Sequence, residues 1–283
     1  MNEVSGLTEW LIEHEILLRS VIFLAVFCIM FVCELVASRR VLSVPKTPRW
    51  ISNLSLFLLN SVILRLIFPA AAVGIAISVN SAGWGLFNLL SLPFWLEFLA
   101  ALVLMDLAIY LQHWMMHQVP LLWRLHRVHH ADLDIDLTTG FRFHTLEILF
   151  SMLLKGLVIV ILGPAVLAVL FFEILLNAMA VFNHSNISLP RYLELWARGL
   201  LVTPDMHRVH HSAVAEETNS NYGFNLSLWD RLFKTYRAQP AAGHDEMTIG
   251  LSEFRNQQQV DRLPGMLWLP FVAVKNDPVR RPG

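Results

Sequence analysis

The chain has 283 residues, of which 55% are hydrophobic and 15% charged. Soluble proteins carry about 25% charged residues, so this composition, with a mean hydropathy of +0.54, excludes an ordinary soluble domain and points to an integral membrane protein. The net charge of -1 leaves no basic footprint for nucleic acid.

An acidic start (Glu3, Glu9, Glu13, Glu15) leads into a first apolar span over residues 16–37, long enough to cross ~30 Å of hydrocarbon. The acidic flank and the lack of a small-residue cleavage site argue against a cleavable signal peptide. Cys28 and Cys33 point to different faces of this span, and no Cys-x-x-Cys occurs, so neither a bridge nor a thiolate metal site is expected. Arg39, Arg40, Lys46 and Arg49 follow, and the positive-inside rule places them in the cytoplasm. A second apolar stretch, residues 54–79, is interrupted by Arg65 and Pro69, which predicts a kink. Residues 80–92 read as an interfacial turn. A third span, residues 93–111, returns inward and leaves His113 just beyond its end.

Residues 113–145 are polar. A membrane hairpin follows, residues 146–162 and 165–182 around Gly163-Pro164, with Lys155 and Glu173 inside it. Charges at membrane depth, Arg65 included, normally face protein or water and are functional candidates; snorkelling is the ordinary alternative. A helix around 190–201 is expected at the interface, and from about Ala238 the chain reads as a soluble tail. The expected division is therefore N-terminal membrane helices (1–92), a central domain (93–240) and a soluble tail (241–283). The expected fold is an all-α integral membrane protein, a multi-pass transmembrane helix bundle with a cytoplasmic histidine-rich cap and a cytoplasmic C-terminus.

Ten of the twelve histidines lie between His113 and His211. His113 and His117 stand at i and i+4, where helical side chains share a face. His126, His129 and His130 form a His-x-x-His-His cluster, and His207, His210 and His211 repeat it with the same Arg-Val insert. His144 and His184 flank the hairpin. Imidazole binds first-row transition metals, and sulfur ligands are absent. Ten candidates exceed what one ion needs, so a two-metal centre is predicted. Asp106, one heptad before His113, is the expected acceptor for a ligand imidazole. Asn219, Asn221 and Tyr222 are candidates for the same role or for the substrate entrance. Trp229 and Phe233 are expected to pack on the bundle. His14 falls on the opposite side of the membrane and His244 in the tail, so neither is a ligand candidate; a surface or supporting place is expected for His244. A metal carrier would need ligands in a row through the membrane, whereas these gather at one face.

The series His113-x3-His117, His126-x2-His129-His130 and His207-x2-His210-His211 resembles the fatty acid hydroxylase / sterol desaturase superfamily. The resemblance extends through Gly140-Phe-Arg-Phe-His-Thr-Leu-Glu147, Asn183-His-Ser-Asn-Ile187, Thr218-Asn-Ser-Asn-Tyr-Gly223 and Trp229-Asp-Arg-Leu-Phe233, covering roughly residues 95–240. It implies a membrane-bound non-haem di-iron enzyme that uses O2 and two electrons to hydroxylate, or alternatively desaturate, a fatty acyl, sterol or related membrane lipid. It implies eight metal ligands in the three motifs, with His144 and His184 matching the family's intermediate histidines. A separate electron donor, ferredoxin- or cytochrome b5-like, is expected as partner. Two departures are visible: Thr145 stands where many members have proline, and Lys234 where a glycine often follows.

Overall fold

The computed structural model describes residues 3–274, and among these there are three isolated β-bridges and no β-strand. The helices are α1 (Glu3–Glu13), α2 (Glu15–Val36), α3 (Lys46–Ile67), α4 (Ala71–Ser81), α5 (Leu86–Leu89), α6 (Phe94–Gln118), α7 (Pro120–His130), α8 (Thr145–Leu162), α9 (Val166–His184), α10 (Arg191–Ala197) and α11 (Pro204–His210). A 3-10 turn, η1 (Leu137–Phe141), lies between α7 and α8. Five segments are long and apolar enough to cross a membrane: Glu15–Val36, Lys46–Leu89, Phe94–Gln118, Thr145–Leu162 and Val166–His184.

α9 is the central helix. It packs against α2, α4, α6, α11 and η1, and half of its apolar window is buried, against 6% for the peripheral α2. The second apolar stretch breaks between α3 and α4 as Arg65 and Pro69 suggest, with Ala71 held at φ +48. Pro69 removes a helical donor and disfavours helix in the residue before it. The hairpin between α8 and α9 turns at Gly163, in the left-handed region at φ +61. A Cβ there would strike the Trp84 carbonyl oxygen, so both conformation and close approach require glycine.

Two expectations change. The third span does not stop near residue 111. The run Gln112-His-Trp-Met-Met-His contains no breaker, and α6 continues to Gln118, carrying His113 and His117 on the same helix. Residues 241–274 also do not hang free. Leu251, Phe254, Val260, Met266 and Leu269 form one core with Leu56, Trp123 and Val128, so this segment closes over α7 and the start of α3.

That end of the bundle also holds a buried polar core. Arg49 is fully buried and bidentate on Asp132, Nε to Oδ1 at 2.6 Å and Nη2 to Oδ2 at 2.9 Å. Its Nη1 donates to Asp136 Oδ2 at 2.7 Å. Arg142 donates to the Val128 carbonyl at 2.8 Å, to Asn53 Oδ1 at 3.1 Å and to the Val260 carbonyl. These bonds pin the loop after α7 to α3 and to the C-terminal segment.

Candidate metal centre

Local sequence brings the histidines together in steps. Val119 precedes Pro120 and is extended (φ −96, ψ 116), as the residue before proline prefers. Pro120 then opens α7 in its first turn, where a missing N–H costs nothing. The sharp corner folds α7 back onto the end of α6. α11 starts the same way, with the Thr203 side chain capping the Met206 N–H and Pro204 next.

Helical periodicity then divides each His-x-x-His-His cluster. His126 and His130, four apart, join His113, His117 and His210 in one group of five. His207 and His211, also four apart, join His129 and His184 in a group of four. Each cluster thus sends its outer pair to one group and its middle histidine to the other. Within each group the ligand atoms lie within 4.8 Å of one another.

The rings converge through Nε2. The spacings are 3.1 Å for His117–His130, 3.2 Å for His130–His126 and 2.9 Å for His210–His113. In the second group they are 3.1 Å for His184–His129, 2.9 Å for His207–His184 and 3.3 Å for His211–His207. Two nitrogens each ~2.1 Å from one ion, at octahedral or tetrahedral angles, stand ~3.0–3.4 Å apart. The geometry fits one transition-metal ion per group.

The outer nitrogens fix the tautomer. Nδ1 of His126 donates to Glu147 Oε1 at 2.6 Å, that of His113 to the Tyr222 carbonyl at 2.8 Å, and that of His210 to the Ser220 carbonyl at 2.7 Å. His117 Nδ1 faces Asn219 Oδ1 at 3.4 Å, and His184 Nδ1 donates to the Ala180 carbonyl at 2.7 Å. With the proton on Nδ1, the Nε2 lone pair is left for a metal. Burial, followed by neighbouring imidazoles, pushes His129, His130, His207, His210 and His211 well below the ordinary imidazole range. They are neutral, which is the ligating form.

A cavity of about 720 Å³ runs from these rings into the bundle. It touches His113 and His126 of the first group and His129, His184 and His207 of the second. Met116, Phe141, Phe143 and Met152 give it apolar walls, and Asn60, Gln112, Glu147 and Ser151 add polar ones. A C–H bond in this cavity can therefore reach both groups at once.

Nine of the ten expected histidines come together. His144 does not. It caps α8, its Nδ1 accepting the Leu146 N–H at 3.2 Å while its Nε2 lies 3.2 Å from the Leu267 carbonyl. Asp106 serves a different end from the one expected, accepting from the backbone of Asn225 and Leu226 and from Trp229 Nε1 at 2.8 Å. It ties the loop after the last cluster to α6. Of the asparagine stretch, Asn219 reaches His117, Tyr222 reaches His113 through its carbonyl, and Asn221 donates to the Met206 and Arg237 carbonyls. Trp229 is buried, and Phe233, half-exposed, stacks on Tyr110. His14 stacks on Trp10 at the other end of α2. His244 is buried rather than on the surface, 3.6 Å from Asp205. Glu147, which accepts from His126, is the site residue to which sequence reasoning gave no role. Its signal was a carboxylate two residues into a helix, beside a histidine cluster.

The two departures have local reasons. Thr145 is the first residue of α8, where proline is well tolerated, and its hydroxyl instead donates to Asn60 Oδ1 at 2.7 Å. Lys234 has φ +59, a conformation that favours glycine.

Residues 98–235, which carry all nine grouped histidines, match the family model for fatty acid hydroxylases. This segment belongs to the fatty acid hydroxylase family. Among similar proteins, an ornithine lipid hydroxylase (OlsE) of Rhizobium tropici is 29% identical over 56% of this chain and 46% of its own length. An alkylglycerol monooxygenase of Xenopus tropicalis is 30% identical over 54% of this chain and 34% of its own. The alkylglycerol monooxygenase of Homo sapiens is 28% identical over 60% and 36%. The chain thus spans between a third and a half of these relatives. No solved structure matches it. The hydroxylase-family segment contains α7, α8, α9 and α11 whole, together with most of α6.

Proposed function

We propose that the chain is a membrane-bound di-iron oxygenase that hydroxylates a C–H bond of a lipid, taking O2 and two electrons for each turnover. One observation carries this reading: two groups of converging imidazoles close one end of a lipid-sized cavity. The relatives are named for activities of the same kind, on ornithine lipid and alkylglycerol.

The donor set suits iron, for which imidazole without sulfur is an ordinary environment. Bound there, two irons would supply reductive activation of O2, one oxygen atom entering the C–H bond and the other leaving as water. The chain's own residues set the conditions. His113, His117, His126, His130 and His210 would hold one ion, and His129, His184, His207 and His211 the other. Glu147 accepts from His126 and so orients one ring of the first group. Phe141, Phe143, Met116 and Met152 keep water from the carbon to be oxidised. In this reading the electrons come from a separate protein on the histidine side, and the basic linker after α2 supports a cytoplasmic position for that side.

The test is lipid mass spectrometry on cells with and without the chain. A product gaining one oxygen, absent in His129→Ala and His210→Ala, supports hydroxylation. A product short of two hydrogens would instead make it a desaturase. An unchanged lipid profile with an iron-loaded protein would refute the proposal.

A further inference from the structure

The cavity does not end at the histidines. At its other end, Ile16, Ser20 and Leu24 on α2 and Phe57, Ser61 and Arg65 on α3 line it. Each trio is spaced by four residues and exposed on the protein surface. Phe23 stacks on Phe57 at 5.7 Å across the gap, while α2 takes its main support from α9. The cavity therefore has a mouth on the flank of the bundle, between two helices that face lipid.

A cluster of charge sits inside this mouth. Lys155 Nζ donates to Glu173 Oε1 at 2.6 Å, and Arg19 Nη2 to Oε2 at 3.1 Å. Arg19 also lies 3.8 Å from Glu15. These two cations and two anions balance. Arg65 is left over. Its hydrogen bond is to the Pro69 carbonyl at 3.3 Å, and among the described residues no carboxylate lies within ion-pair distance of it. Apart from a longer-range attraction to Glu15, this guanidinium has no carboxylate partner among the described residues; a charge so placed at membrane depth is costly, and it is shaped to hold a carboxylate or phosphate through two parallel bonds.

We propose that Arg65 is a head-group residue: a membrane lipid with an anionic head, carboxylate or phosphate, enters sideways between α2 and α3, binds Arg65, and lays its chain toward the histidines. This rests on the reading of the cavity as the substrate site. The scale suits a chain, since Lys155 lies ~12 Å along α8 from Glu147 and Glu173 ~16 Å along α9 from His184. Holding the head at the mouth fixes which carbon meets the metal groups, so Arg65 sets position as well as affinity.

The test reads binding, not turnover. The full chain in neutral detergent, metal-free and metal-loaded, is titrated with a long-chain fatty acid, an alkyl phosphate and a fatty alcohol of equal chain length. Both anions are expected to bind about tenfold tighter than the alcohol, the range of a charge-assisted hydrogen bond. Arg65→Gln removes that preference and leaves alcohol binding unchanged; Arg65→Lys retains part of it. Equal binding of alcohol and anions by the unaltered chain overturns the proposal, as does an anion preference that survives in Arg65→Gln. Displacement of the alkyl phosphate by inorganic phosphate at equal concentration also overturns it, because the chain would then contribute nothing. An Arg65-dependent preference in a protein that oxidises no lipid upholds the head-group site and refutes the oxygenase reading instead.

Discussion

His126 donates to Glu147 through one ring nitrogen and turns the other toward its group, so a single carboxylate fixes tautomer and orientation. Glu147→Ala should weaken metal binding in the five-histidine group by about 10–100-fold, as loss of such a partner does elsewhere; metal titration by calorimetry checks it. A pH effect follows from the same burial. Five imidazoles outside the spans are held well below their ordinary value of 6.5. Below about pH 6.5 the unfolded chain gains protons that the folded, metal-free chain does not, so stability falls as pH falls. Above that pH the difference vanishes. Each imidazole that stays neutral contributes about 1.4 kcal/mol per pH unit. Thermal unfolding of metal-free protein should show the midpoint dropping steeply below pH 6.5 and flat above it. At this scale the histidine clusters were legible as candidate ligands because their spacing repeats. His144 was misplaced because a lone histidine before a helix is equally suited to cap it, and spacing does not separate these roles. Asp106 was placed on the right helix, but its acceptors are used by a loop that returns from 119 to 123 residues later in the chain.

The helices divide the histidines by a rule visible in one turn of α7 and one of α11. Residues four apart share a face, and the third stands off it. The spacing behind this split stands in the sequence, but which histidines share a group was not read from it, because that depends on how α7 and α11 face each other. The groups also differ in support. Four of the five histidines in the first have Nδ1 partners, against one of the four in the second. Metal titration of the metal-free chain should therefore show two steps, with the five-histidine group filling first; a single step would contradict this. Packing that positions these helices is equally specific. Arg49 neutralises two buried carboxylates on the loop after α7. Arg49→Gln should cost about 3–5 kcal/mol, the range for stranding buried charge, seen as a lower unfolding midpoint. The apolar runs gave the spans directly. Residues 241–274 were read as a tail because their apolar residues are scattered, and only the fold gathers Leu251, Phe254 and Met266 against Trp123.

Across the whole molecule, hydropathy and the histidine count point the same way: a helix bundle supplies an apolar cavity, and its polar end gathers the candidate metal ligands. The cavity was the least legible part, since its walls come from stretches spread between Ile16 and Phe224 and its mouth from two helices that part above an aromatic stack. The central claim is that nine histidines make two metal sites, one for each group. Metal analysis of iron-reconstituted protein tests it most directly. The account predicts two irons per chain, two in His144→Ala, and loss of iron in His184→Ala. One iron per chain in the unaltered protein, or full iron in His184→Ala with loss in His144→Ala, would contradict it.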